Sequence, residues 1–288
     1  MARGRSTRPR RGRPQQRPPW GQHFLADVRI RSQIVRRLNC QPEECWLEIG
    51  AGHGEITLAL AEASRCVAAV ERDKKLAETL RECLSGFPGA QVIEGDILET
   101  SLPALAREAS CNRWRVYGNL PYYITSPILQ HLFAATEVIA DIHVVVQREV
   151  AERLVAQPGS RDYGYLSVLT QFHAEAEILQ PIPRGAFRPP PQVESALVRL
   201  QPPGQQAVLG VRDPKDFLRF VGVCFRHKRK TLRNNLLAFC GPEQAQAALA
   251  DAGLDARARA EELGLDGFVR LYRDLSQAGH SVVGSPPL

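Results

Sequence analysis

The stretch Leu47–Glu55, "LEIGAGHGE", decides how the chain is read. A short apolar run ends at Ile49. Three glycines follow in the pattern G-x-G-x-G, at Gly50, Gly52 and Gly54, and then "ITLALAEAS" has the length and composition of a helix. A buried strand turning tightly into a helix needs glycine, which tolerates left-handed backbone and lets a ligand approach closely. The spacing differs from the G-x-G-x-x-G of dinucleotide-binding folds, but the physical use of glycine is shared in part.

The same alternation runs outward from this turn. "DVRIRSQIVRRL" (27–38) places apolar residues near helical spacing before the first strand. "VAAVE" (67–71) reads as a second strand, and "DKKLAETLRECL" as a helix with Leu76, Leu80 and Leu84 on one face. Further strands are predicted in "QVIEGDIL", "WRVYGN" and "IHVVVQ". Strands alternating with helices imply a parallel sheet covered on both faces. After residue 200 the pattern changes: "QPPGQQAVLG" has linker composition, and only helical patterns follow, with Asp213 and Pro214 as a helix start. The predicted organisation is a basic tail (1–19), a Rossmann-like α/β domain (20–203) and a small all-helical C-terminal domain (204–288).

Chemistry collects where the predicted strands end. Glu71 is 21 positions beyond Gly50, where a carboxylate can accept both ribose hydroxyls and repel a 2′-phosphate. Glu48, just before the glycines, suits a cationic ligand better than a pyrophosphate. Asp96 ends the third strand, placed to accept from an adenine amino group, with Ile97 packing on the ring. These details favour S-adenosylmethionine over a nicotinamide cofactor, which stays the weaker alternative.

The fourth strand runs into "YGNLPYYITSPIL" (117–129). A simple turn would favour Gly, Asp or Ser, and a core strand would reject Pro121. The Asn119 side-chain oxygen and the Leu120 carbonyl can accept the two N–H groups of an exocyclic base amine. Pro121 fixes the backbone there, and Tyr122 offers a stacking surface for a base taken out of its helix. Two acceptors localise the amine lone pair, so that methyl transfer depends mainly on placement.

Composition narrows the remaining classes. The chain has 288 residues, 44% of them hydrophobic, and a net charge of +6, which fits a nucleic-acid partner without requiring one. No apolar stretch is long enough to span a membrane. The seven cysteines and seven histidines show no metal-ligand spacing, so no metal is expected. The cysteines read as small reduced thiols, implying a reducing compartment. The first 19 residues carry seven arginines, four prolines and no acid, and read as a disordered tail or an electrostatic arm. Arg226, Lys228, Arg229, Lys230 and Arg233 fall along a predicted helix and offer phosphate contacts.

At these motifs the sequence resembles the small-subunit ribosomal RNA adenine N6,N6-dimethyltransferases. The resemblance runs from "GQHFL" through "EIGAGHGEIT", "GDIL", "NLPYYITSPIL" and "FRPPPQVESALVRL" to "RHKRKTLRNNL", about residues 20–275. It implies a class I methyltransferase domain, S-adenosylmethionine as cofactor, and dimethylation of two adjacent adenosines in the 3′-terminal hairpin of small-subunit (16S) rRNA. Also implied are cofactor contacts from Gln22, His23, Leu25, Gly50, Gly52, Glu71, Asp96, Ile97 and Asn119. Phe187 would stack on the target base opposite Tyr122. Leu120, the proline run and the basic segment separate the chain from the large-subunit enzymes of macrolide resistance, which remain an alternative, as does an RNA-binding assembly factor with incidental catalysis. A cytoplasmic monomer is expected. Departures from the family's usual residues are Ala51 for proline, Gln192 for lysine and His23 for asparagine; the second removes one phosphate contact.

Overall fold

In the computed structural model, which describes residues 23–277, the strands are apolar runs because both faces of the sheet are covered. The arginine-rich tail and Gln22 lie outside the described residues. A two-residue strand β1 (Phe24–Leu25) leads to α1 (Val28–Leu38). Then β2 (Cys45–Ile49), α2 (Glu55–Ala63), β3 (Cys66–Glu71), α3 (Lys74–Cys83) and β4 (Ala90–Glu94) alternate. After α4 (Leu102–Glu108) come β5 (Trp114–Asn119), α5 (Thr125–Phe133), β6 (Ile139–Gln147), α6 (Arg148–Val155) and α7 (Tyr165–His173). The sheet domain ends with β7 (Glu175–Ile182), β8 (Phe187–Arg188) and β9 (Ser195–Gln201). The helices α8 (Gln206–Leu209), α9 (Pro214–Cys224), α10 (Leu232–Leu236), α11 (Pro242–Asp251) and α12 (Leu265–Gln277) complete the described chain.

The main sheet has the order β4-β3-β2-β5-β6-β9-β7. Its pairs from β4 to β6 are parallel, and β9 runs antiparallel to both β6 and β7. The chain leaves β2 towards β3 on one side, and later returns to β5 on the other. The carboxyl ends of β2 and β5 therefore form a topological switch point, where open α/β sheets bind ligands. Period-two alternation sends Leu47 and Ile49 to a core with Leu102, Leu105, Ile128 and Leu132. Trp46 goes to the other face, with Ile34, Leu38, Ile56 and Leu60.

Besides the two-residue β1 and β8, two strands of the main sheet are missing from the sequence reading. In β7 the alternation is broken by a register shift between Ile178 and Gln180, and Pro181 argues against a strand; β7 tolerates it as the sheet's edge. The strand β9 lies directly behind the proline run. The sheet is thus mixed at one end. A second correction concerns cysteine: Cys45 and Cys66 face each other on β2 and β3, Cα–Cα 4.7 Å, and are joined as a disulfide. The other five are free.

The C-terminal helices gather a core of their own. Phe217 and Phe220 from α9, Leu232 and Leu236 from α10, Leu249 from α11 and Phe268 from α12 pack with Val168 and Phe172 of α7. Asp213 caps α9 by accepting from Asp216 N, as its sequence predicts. The basic segment is not helical, however. Residues 225–231 form a turn between α9 and α10, held by Asn235, whose amide donates to Cys224 O (2.8 Å) and accepts from His227 N (3.1 Å).

At the amino ends of β2, β5 and β6 a polar group is buried. Arg115 makes two 2.9 Å bonds to Asp141, one 2.8 Å bond to Glu44, and lies 4.4 Å from the Trp46 ring centre. His143 lies beneath it, 1% exposed, with Nδ1 3.7 Å from Asp141. Burial pushes the His143 pKa down from 6.5 to about 4; the Asp141 charge opposes this, while Arg115 and Arg199 add to it. The unfolded chain therefore takes up the proton first as pH falls. The His143 contribution is intact above about pH 7 and is lost between 6.5 and 4. The loss amounts to about 2 kcal/mol at pH 5. Urea unfolding at pH 7 and pH 5 should show this loss, and His143→Gln should flatten it; an unchanged pH slope in the variant would clear His143 of the effect.

Candidate active site

The turn after β2 is shaped by its glycines. Gly52 has φ +58°, and a Cβ there would stand 3.2 Å from the Phe24 ring; Gly54 has φ +82°, and a Cβ would stand 2.5 Å from Leu80 Cδ1. Neither position accepts a larger residue without displacing a neighbour. The backbone thus passes close under Phe24, and its glycine N–H groups are bonded internally: Gly50 N to Val70 O (2.8 Å), Gly52 N to Glu71 (2.8 Å) and Gly54 N to Ala51 O (2.9 Å).

Glu71 ties this turn to the next one. Its carboxylate accepts from Gly52 N (2.8 Å) and from Asp73 N (2.8 Å). Asp73 in turn caps α3, accepting from Lys75 N and Leu76 N. The Glu71 side chain is fixed while each oxygen keeps capacity for a further donor. Asp96 caps the short turn after β4 through Leu98 N (3.0 Å) and lies 3.3 Å from Arg72.

The cleft has two connected halves that share Gly50, Glu71 and Pro121. One half is walled by Val70, Asp96, Ile97, Tyr123, Ile124 and Ile128. It offers carboxylates against apolar surface, which suits an adenosine. The other half is lined by His23, Phe24, Gly52, Asn119, Leu120 and Tyr122. There Asn119 Nδ2 donates to His23 O (2.8 Å). A carbonyl can only accept, so this bond assigns the amide orientation and leaves Oδ1 as the acceptor. Tyr122 OH is 2.8 Å from Ser195 Oγ, and its ring stacks on His23, 5.5 Å between centroids.

The structure therefore brings together His23, Gly50, Gly52, Glu71, Asp96, Ile97, Asn119, Leu120, Pro121 and Tyr122. It does not bring in Leu25 or Phe187. These two pair across β1 and β8 and are buried in one core, Phe187 fully. Phe187 anchors the proline turn; its ring is fully buried in the cluster that holds Leu25, Ile34 and Ile182 and lines neither half of the cleft. Glu48 also departs from expectation. Strand alternation puts it on the Trp46 side, absent from both halves of the cleft. Burial pushes its carboxyl up to about 8, with Thr57 opposing and Glu55 and Glu71 adding, so it carries a proton at neutral pH and offers no charge to a cation. Phe24 and Tyr123 were missed as lining residues. Each is the aromatic neighbour of a residue the sequence did single out, and exposed Tyr123 extends the Tyr122 signal by one position.

Away from the cleft, Arg226 and Lys228 border a second cavity of about 400 Å³ together with Arg153, Tyr163 and Phe225. Arg229 and Lys230 are exposed on the same turn, whereas Arg233 on α10 is half-buried. Among the described residues no group of His, Cys, Asp or Glu could hold a metal ion.

A mostly parallel sheet with a glycine turn, an acid at the next strand end and an Asn-Leu-Pro-Tyr loop defines a Rossmann-like methyltransferase. The sequence matches the ribosomal RNA adenine dimethylase family over residues 13–277, and the chain belongs to that family. A protein named ribosomal RNA small subunit methyltransferase A from Acidobacterium capsulatum is 44% identical over 90% of this chain and 91% of its own. One of the same name from Caldanaerobacter subterraneus is 40% identical, over 89% and 96%. A dimethyladenosine transferase from Plasmodium falciparum shares the fold, with TM-score 0.76 over 90% of this chain and 99% of that one at 21% identity. The 23S rRNA methyltransferase ErmE follows at TM-score 0.64 and 28% identity, over 88% and 100%. S-adenosylmethionine is the methyl donor, and the acids, glycine backbone and apolar walls described above fit it. Replacing Glu71 by Gln keeps the size but converts one acceptor to a donor facing a backbone N–H. Titration calorimetry with S-adenosylmethionine should find affinity reduced about 10–100-fold; unchanged affinity would remove Glu71 from the site.

Proposed function

We propose that the chain dimethylates N6 of two adjacent adenosines in the 3′-terminal hairpin of small-subunit rRNA. The observation that carries this reading is the commitment of the Asn119 amide nitrogen to His23 O, which leaves its oxygen as the acceptor beside Pro121 and Tyr122. An adenine N6 presents two donors. On this reading Asn119 Oδ1 accepts one and the Leu120 carbonyl the other, with Pro121 fixing the peptide that follows. Leu120 cannot drift, because its N–H is bonded to Val145 O (3.1 Å) and its side chain is buried. The ring of Tyr122, steadied through Ser195, supports the base by stacking.

When bound, S-adenosylmethionine supplies an electrophilic methyl group. The chain's residues supply placement: two acceptors hold the amine with its lone pair localised, and no side chain is required as a strong base. Substrate choice within rRNA rests on the relatives' shared name and on Arg226, Lys228, Arg229 and Lys230, gathered on one turn beside an open cavity. On this reading residues 20–203 perform transfer and 204–288 contact the subunit, as a cytoplasmic monomer.

Labelled S-adenosylmethionine offered with undermethylated small subunits, large subunits and duplex DNA should yield N6,N6-dimethyladenosine from the small subunit alone. Asn119→Ala should lower that rate by at least about 100-fold. Label in large-subunit RNA would instead place the chain with the resistance-type enzymes, and no label in any substrate would sink the proposal.

A further inference from the structure

The loop between β7 and β9 does more than anchor Phe187. It touches the N-terminal segment just beyond the cleft and meets two residues that line the base-facing half, His23 and Tyr122. Ala26 N and Asp27 N both donate to Ala186 O (2.7 and 3.0 Å). His23 Nδ1 lies 2.7 Å from Pro189 O. Ser195, at the loop's end, meets the Tyr122 hydroxyl. A nucleotide seated on Tyr122 therefore has this loop beside it.

The loop is also cationic in an uncompensated way. Arg184 and Arg188 are exposed. Among the described residues their guanidinium groups bond only to backbone oxygens: Arg184 Nη1 reaches Gln192 O (3.4 Å), and Arg188 Nη1 reaches Gly185 O (3.1 Å) and Phe187 O (2.9 Å). Among the described residues neither forms an ion pair. The loop's only acid, Glu194, is drawn away by Arg148, which pairs with its carboxylate (3.2 Å) and donates its own N–H to the Glu194 carbonyl (2.9 Å). Each arginine retains most of its five N–H donors, in the planar fork that matches a phosphate. The platform is stiff: Phe187 and Ala186 are buried beneath it and Pro189, Pro190 and Pro191 follow. Groups held this way lose little freedom when they bind.

We propose that Arg184 and Arg188 grip the RNA backbone next to the target adenosine, as a phosphate clamp on the transferring domain separate from the basic turn at 226–230. This rests on the function proposed above.

The test uses the whole chain and undermethylated small subunits. Wild-type protein is assayed first; if it forms no N6,N6-dimethyladenosine, it is the functional reading that fails. With active wild type, Arg184→Ala and Arg188→Ala should each raise KM for the subunit about tenfold. The salt slope of log KM should fall by about one per arginine. The value of kcat, the melting temperature and the affinity for S-adenosylmethionine should stay within twofold. Arg188→Lys should retain most of the salt slope that Arg188→Ala loses, and Arg36→Ala on the remote end of α1 should match wild type. The clamp is overturned if KM and salt slope equal wild type in both alanine variants. It is equally overturned if cofactor affinity or melting temperature falls in parallel with KM, since the arginines would then be supporting the loop and not the RNA.

Discussion

The site depends on a gap that the sheet cannot close by itself. Chain connections leave β2 and β5 in opposite directions, so no crossover covers their carboxyl ends. The N-terminal segment covers the gap instead, and it is held by one side chain in the centre: Asn119, at the end of β5, donates to the carbonyl of His23. The β1–β8 pairing secures the segment from the other side. The same hydrogen bond that fastens the cover also orients the Asn119 oxygen as an acceptor. Structure and proposed chemistry use the two ends of a single amide.

Carboxylates near the turn divide by environment. Glu71 and Glu48 lie on neighbouring strands, yet one is supplied with two backbone donors and faces the cleft, while the other is enclosed and carries its proton at neutral pH. A sequence reading that treats every acid before a glycine turn as a negative charge overlooks desolvation, which here outweighs the position. Without Glu48, the acids that line the cleft are Glu71, Asp73 and Asp96.

Much of this was legible because local physics and topology agree. The strand–glycine–helix unit at 45–63, the acid at 71 and the loop at 119–122 are short-range features, and parallel strands buried on both faces announce themselves as apolar runs. What escaped was set by long-range contact. Leu25 and Phe187 look like site residues because they sit in motifs beside it; only the pairing of β1 with β8 turns both inward. The strand β7 hides behind Pro181 and a bulge. The basic run at 226–230 has helical spacing, but Asn235 bonds to Cys224 and His227 from across the turn and holds it out of a helix. The cysteines at 45 and 66 are 21 residues apart in sequence and opposed only once the register of β2 against β3 is known.

The burial of Phe187 changes how a base can be held. With that ring in the core, the aromatic surfaces left in the base-facing half are Tyr122, His23 and Phe24. Tyr122 and His23 are already stacked at 5.5 Å, with an interplanar angle of 29°. A base between them needs two contacts of about 3.5 Å each, roughly 7 Å in all. The observed spacing is too small, so a sandwiched adenine requires the rings to part, whereas one stacked on the other face of Tyr122 does not. Tyr122 is restrained by Ser195 and by the fixed backbone at Pro121, and His23 sits on a segment whose strand is two residues long. Parting them means moving Tyr122 against Ser195 or His23 against Pro189 O (2.7 Å), and a shift of His23 would carry the Asn119 amide along or release it. Base entry and acceptor geometry are coupled through that one hydrogen bond, which is why the cover over the cleft and the chemistry beneath it cannot be altered independently.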